Sequence, residues 1–165
     1  MVQSRSMEAR VGRVKQRYGP DGSRLVAGVV AVSVDRRKVL VVESTNRQNH
    51  WVLPKGGYET DEARPEDAAA REAWEEAGIT GRVTRALGEI RDPRPLNAVA
   101  PPKAGGQART LYYFFEFHVE REEDRWPEMH KRKRRWMTYE EALSCFQSMN
   151  RPELIEAIDR SSVLR

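Results

Sequence analysis

Apolar side chains recur along this chain with two periods, and the switches between them lay out the elements. Residues 25–34 (LVAGVVAVSV) form a valine-rich run whose β-branched side chains favour a buried strand. Asp35-Arg36-Arg37-Lys38 has the make-up of a hairpin turn, with Val39–Glu43 as the returning strand. Trp51-Val52-Leu53-Pro54 is a short extended piece. Pro65 suits the first turn of a helix, where no amide donor is needed, and Glu66–Ala77 continues it until Gly78 stops it. Arg82–Arg91 is expected as a strand. Asp92–Gly106 holds four prolines, Gly105 and Gly106, and reads as a long loop. Thr110–Val119 (TLYYFFEFHV) is the clearest strand, and its poorly alternating aromatics are expected to fill core on both sheet faces. Trp136–Thr138 is a further strand, and Tyr139–Ser148 and Pro152–Val163 read as two closing helices. The first 23 residues are polar and end in the turn Gly19-Pro20-Asp21-Gly22. No internal repeat is visible. The pattern predicts one α/β (α+β) domain over 24–165, preceded by a basic, partly flexible segment at 1–23.

Composition narrows the class. With 39% apolar and 33% charged residues among 165, the chain is expected to be a soluble globular protein with a real core. No apolar run approaches the length of a membrane span, and the N-terminal residues contain no signal-peptide stretch. Cys145 is the single cysteine, which excludes an internal disulfide and a cysteine-based zinc cluster. The expected location is cytoplasmic or nuclear. The net charge of +4 says less than its distribution. Eight acidic residues crowd Glu59 to Glu76, whereas Lys131 to Arg135 is an unbroken basic run. One acidic segment in a basic chain points to two tasks, holding cations and attracting an anion around them.

The acidic segment carries the chemistry. Glu72, Glu75 and Glu76 stand at i, i+3 and i+4, which puts them on one face of a helix. Like charges at that spacing oppose helix formation, and a hard divalent cation such as Mg²⁺ would compensate them. Arg71 could pair with a neighbouring glutamate and fix its rotamer. Taken alone, EAWEEAG is an ordinary solvated helix face. The joint pattern changes that reading: Pro54-Lys55-Gly56-Gly57 precedes it and Gly78-Ile79 closes it. The two glycines let a backbone loop approach the helix, so that a main-chain carbonyl can join the carboxylates.

Arg71–Ile79 (REAWEEAGI) resembles the second half of the Nudix box, R-E-x-x-E-E-x-G followed by an apolar residue, without a mismatch. Gly56 and Glu62 fit its first half, but eight residues rather than seven separate Glu62 from Arg71. The extra residue falls before Pro65 and leaves the part played by Glu62 open. WVLPKGGYETDE, SRLVAGVVAV, PEMHKRKRRW and RPELIEAIDRS extend the resemblance over residues 17–164, to the fungal branch of the diadenosine and diphosphoinositol polyphosphate phosphohydrolases.

That resemblance implies the Nudix fold, a mixed sheet between helices. It implies Mg²⁺-dependent hydrolysis of diphosphoinositol polyphosphates with release of the β-phosphate, and of diadenosine penta- or hexaphosphate and inorganic polyphosphate. One to three ions are expected, with Mn²⁺ as a substitute. Matched to the box, Glu72 and Glu76 would ligate the metal together with the carbonyl of Lys55. Glu75 would be the general base or a second-metal ligand, with Arg71 beside it. Arg24, Ser44, Arg47, Lys55, His130, Lys131, Arg132 and Arg151 fall where the family binds substrate, as do Gly56 and Gly57; Arg109 is a weaker candidate. Alternate residues of HKRKRR should face opposite ways if it enters a strand, so only some can line one site. The same run also reads as a nuclear-localisation or nucleic-acid patch. His50 and His118 read as ordinary histidines. The expected partner is a small polyanion, with no membrane, no nucleic acid and no obligate protein partner. The alternatives are an RNA-cap or nucleotide pyrophosphatase using the same box, and a non-catalytic module that binds inositol polyphosphates.

Overall fold

The computed structural model describes residues 5–94 and 109–165, so most of the loop expected at 92–106 lies outside the described residues. The described elements run β1 (Arg24–Ala31), β2 (Lys38–Glu43), β3 (Trp51–Val52), β4 (Lys55–Gly57), α1 (Pro65–Ala77), β5 (Ile79–Arg91), β6 (Thr110–Glu122), β7 (Arg134–Thr138), α2 (Tyr139–Ser148) and α3 (Pro152–Arg160). The strands form a four-stranded sheet in the order β4-β1-β6-β5 and a three-stranded sheet in the order β3-β2-β7. β1 and β6 run parallel, from Arg24 opposite Thr110 to Ala31 opposite Phe117, and the other pairs are antiparallel. β1 is buried from Leu25 to Ala31, the pattern of a strand covered on both faces. Tyr112, Phe114, Phe115 and Phe117 of β6 are buried on both parities, as their poor alternation suggests. No helix among the described residues is long and apolar enough to cross a membrane.

Three local expectations are corrected. β2 does not return alongside β1 as a hairpin partner. Only Val32 and Val39 form a bridge, after which β2 pairs with β3 and β7 in the second sheet. Arg36 takes a left-handed conformation (φ 63°) in the connecting turn. β5 is longer than the Arg82–Arg91 pattern, because pairing with β6 begins at Ile79 and passes Gly81 with a register shift. The last helix ends at Arg160 rather than Val163.

α1 begins on Pro65, carries Glu66 and Asp67 in its first turn where the helix dipole favours them, and ends on Gly78 in the left-handed region (φ 66°). Ala68, Ala69, Ala73 and Ala77 are fully buried. Such small side chains let the helix lie close to β1, β4 and β5, which it packs against. A side chain at Gly78 would meet the Trp126 ring, whose Nε1 donates to the carbonyl of Glu76 at 3.0 Å. Segment 124–133 is thereby fastened to the end of α1, and the amide of Glu128 donates to the carbonyl of Glu75 at 3.0 Å.

Candidate active site

The acidic face of α1 turns inward, not into solvent. Glu72, Glu75 and Glu76 are all buried, as is Glu62. Arg71 is the hub that makes this tolerable. Its Nε reaches Glu62 Oε2 at 2.9 Å, one terminal nitrogen reaches Glu72 at 2.9 Å and Glu75 at 3.3 Å, and the other donates to the carbonyl of Gly57 at 2.8 Å. The extra residue upstream of α1 is absorbed without separating Glu62 from Arg71. Glu62 also accepts the amide of Glu59 at 3.1 Å, which closes the loop before Pro65.

β4 lies directly against this face. The amide of Lys55 donates to Glu76 Oε1 at 3.0 Å. The Glu72 carboxylate sits where a side chain on Gly56 would be, so only glycine leaves room for it there. Burial raises the proton affinity of all three glutamates: Glu76 is pushed up to about 7, Glu72 well above its ordinary value, and Glu75 upward against the opposing pull of Arg71. Lys55 is lowered to about 8, first by burial and then by the nearby charge of Arg151. Glu72, Glu75 and Glu76 bring carboxylate oxygens together on one buried face against β4, and a divalent cation with oxygen preference fits that donor set. Glu59, Asp61 and Glu62 also converge, with ligand atoms within 4.8 Å of one another. That group is already paired within the protein: Arg10 bridges Glu59 at 2.6 Å and Asp61 at 2.8 Å, and Arg71 holds Glu62.

A cavity of about 260 Å³ opens beside Glu76 and Gly56, walled by the cations Arg24, Lys55, Arg132 and Arg151 together with Ser44 and Tyr112. It continues into an open cleft of about 880 Å³ bordered by Ser44–Asn49, Lys131, Arg132 and Lys133. Of the residues named from sequence, Arg24, Ser44, Lys55, Gly56, Arg132 and Arg151 meet at the cavity, and Arg47 and Lys131 line the cleft. Gly57 faces Gln16 and lies at neither. His130 is exposed and outside both, and Arg109 is half-buried, its carbonyl accepting the amide of Arg24 at 2.9 Å. The expected strand alternation does not govern the start of the basic run, because Lys131, Arg132 and Lys133 precede β7 and all border the cleft. Arg132 points inward to Glu128, to the carbonyl of Glu43 and to Glu76, and Arg134 stacks over Trp126 at 4.3 Å.

Three features were missed by sequence reasoning. Residues 6–17 pack on the acidic side of the domain: Trp74 Nε1 donates to the carbonyl of Ser6 at 2.8 Å, and the amide of Arg10 donates to Glu75 at 3.3 Å. Gln16 is buried and holds Arg24. The buried Asp92 and Glu153 form a charge cluster with Arg94 next to Arg151. None carries a local signal, because each is set by the folded arrangement and not by a residue pattern.

Comparison with known proteins agrees with this geometry. The NUDIX domain model matches residues 22–159. Nudix hydrolase 4 of Arabidopsis thaliana is 34% identical over 161 residues, covering 92% of this chain and 73% of that protein. Nudix hydrolase 16, mitochondrial, of the same plant is 37% identical over 163 residues, covering 90% and 86%. Among solved structures, a NUDIX hydrolase from Nitrosomonas europaea superposes with a TM-score of 0.63 over 84% of this chain and 87% of that one, at 22% identity, a likeness of fold.

Proposed function

This chain belongs to the Nudix hydrolase family, whose members act on pyrophosphate bonds, and on that premise we propose that it hydrolyses phosphoanhydrides in diphosphoinositol polyphosphates, releasing the β-phosphate. Diadenosine penta- and hexaphosphate and inorganic polyphosphate are further substrates of the same reading. One observation carries it: four cations, Arg24, Lys55, Arg132 and Arg151, wall a cavity that also contains Glu76 and Gly56. A site for a single phosphate does not need so many. A chain of phosphates, each bringing charge next to the last, does.

Glu72 and Glu76 would hold Mg²⁺, with the backbone of Lys55 beside them. When bound, the ion would acidify a water and neutralise non-bridging phosphate oxygens. The protein's own contribution is positioning. Arg71 fixes the rotamers of Glu62, Glu72 and Glu75 in one network. Glu75, with its raised proton affinity, is suited to take a proton from the attacking water. Arg24, Lys55 and Arg151 orient the phosphate chain, and Arg132 connects the cavity wall to Glu76 at 3.3 Å. No protein nucleophile is needed, and Cys145, on α2, does not line the cavity.

The test is phosphate release from diphosphoinositol pentakisphosphate with Mg²⁺, compared between wild type and Glu75→Gln, with diadenosine hexaphosphate and capped RNA run in parallel. The expected result is turnover by wild type and a loss of at least about a hundredfold in the variant. Equal rates would defeat the role of Glu75. Turnover of capped RNA alone would replace the substrate reading with that of a cap hydrolase.

A further inference from the structure

Three arginines border the cavity, and each is anchored through the same atom. Nε of Arg24 donates to Gln16 Oε1 at 2.9 Å, Nε of Arg132 to Glu128 Oε1 at 2.8 Å, and Nε of Arg151 to Glu153 Oε1. Their far ends differ. The terminal nitrogens of Arg132 are engaged by the carbonyl of Glu43 at 2.8 Å and by Glu76 at 3.3 Å. Among the described residues, those of Arg24 and Arg151 have no hydrogen-bond or ion partner, and both side chains line the cavity.

The anchors are themselves deeply set. Gln16 is buried, and its amide nitrogen donates to the carbonyls of Arg17 and Leu25, both at 2.8 Å. That fixes its amide orientation and turns its oxygen toward Arg24. Glu153 is fully buried in the first turn of α3, and its Oε2 has no hydrogen-bond partner among the described residues. Burying a carboxylate is costly unless cations surround it. Arg151 does so at Oε1, and Arg94 lies 3.9 Å from the same oxygen and is itself forked onto the buried Asp92, at 2.7 Å from Oδ2. A favourable helix dipole explains an acidic residue in this turn, but an exposed one would serve the dipole as well. The burial of Glu153 needs another reason.

We propose that Gln16 and Glu153 are positioning residues that lock Arg24 and Arg151 by their Nε atoms and hold both terminal forks ready in the cavity, as a two-armed clamp for a chain of phosphates. This rests on the polyphosphate reading above and names the residues that give the site its selectivity. A guanidinium fixed at Nε keeps its two terminal nitrogens for a bidentate contact with phosphate oxygens and has less freedom to lose when the ligand arrives. Two such forks on the wall of one cavity, which Lys55 and Tyr112 also line, favour a ligand whose phosphates reach both.

The experiment is calorimetric titration of inorganic tripolyphosphate into the full chain, with divalent ions chelated so that no turnover occurs. Arg151→Ala should weaken binding by about tenfold or more. Glu153→Leu should weaken it to the same degree, and the double variant no further, because Glu153 acts through Arg151. Glu153→Gln keeps an acceptor for Nε and should stay within about threefold of wild type. A role in folding alone would lower the melting temperature of Glu153→Leu and leave the affinity of its folded fraction unchanged. Unchanged affinity, or losses that add in the double variant, overturn the proposal. Should Glu153→Leu fail to fold, the same cycle with Gln16→Ala and Arg24→Ala decides. If the wild type binds no tripolyphosphate, the polyphosphate reading falls and the clamp with it; if it binds and the cycles are additive, only the clamp falls.

Discussion

Replacing Gly56 by alanine separates the metal face from the rest of the fold more cleanly than removing a glutamate. The new methyl group would come closer than 3.0 Å to all three atoms of the Glu72 carboxylate group, whereas ordinary contact begins at 3.4 Å. The backbone cannot easily give way, because Gly56 is paired opposite Ala27 in the four-stranded sheet. The carboxylate is the end of a flexible side chain and will retreat, by several tenths of an ångström at the least, straining its 2.9 Å contact with Arg71. Overpacking of this kind costs about 1–3 kcal/mol of stability, or a few degrees of melting temperature for a domain of this size. The catalytic cost is of the same order, since a misplacement near 1 Å is worth about a hundredfold in rate, or about 2.7 kcal/mol. Gly56→Ala should therefore fold, lose about ten- to a hundredfold in kcat, and need more Mg²⁺ for half-maximal rate. Gly57→Ala is the control. Its methyl group would meet Gln16 Oε1, not Glu72, so it should raise KM through Arg24 and leave the Mg²⁺ requirement unchanged. Steady-state kinetics across a Mg²⁺ titration distinguish the two. Wild-type kcat and Mg²⁺ requirement in Gly56→Ala would show that Glu72 is not held against this strand in the working enzyme.

Arg71→Met leaves Glu62, Glu72 and Glu75 without their shared cation and should cost about 3–5 kcal/mol, read as a drop in chemical-denaturation midpoint that added Mg²⁺ partly reverses. In the metal-free protein, Glu76 titrates near 7 when folded against 4.5 as its ordinary value. The folded state then binds more protons between those limits, so stability should fall as pH rises from about 5 to 7.5; melting curves in chelator should show this slope, and saturating Mg²⁺ should flatten it. Thr138→Ala removes a capping box in which the hydroxyl accepts the amide of Glu141 at 3.2 Å and the Glu141 side chain accepts the amide of Thr138 at 2.9 Å. It should cost about 1 kcal/mol with turnover unchanged, as measured by melting and initial rates.

The glutamate face was legible because it depends on one helix. Spacing fixed the shared side of Glu72, Glu75 and Glu76, Pro65 marked the start and Gly78 the stop. That the face turns inward was not legible, since burial follows from the alanines at 68, 69, 73 and 77 packing against strands met elsewhere in the chain. The destination of β2 was hidden for a similar reason. A polar turn between two valine-rich runs looks the same whether the second strand pairs with the first or leaves for another sheet, and here the partners were β3 and β7. Basic residues near the cavity were named from family position, yet their anchors were not. Gln16 precedes Arg24 by a turn's length of chain, and Glu153 reads like any acidic residue opening a helix. Only the folded arrangement distinguishes an arginine whose terminal nitrogens are engaged, such as Arg132, from one held at Nε alone among the described residues, such as Arg151.

The contacts of Ser6 with Trp74 and of Arg10 with Glu59, Asp61 and Glu75 give the leading stretch of chain a hold on the acidic side of the domain. A protease cut before Val11 would strip away a resident guanidinium and leave Glu59 and Asp61 without it. Trimming, or a bulky fusion joined just upstream of Ser6, would thus change how the protein handles divalent ions while every residue of the α1 motif stayed in place.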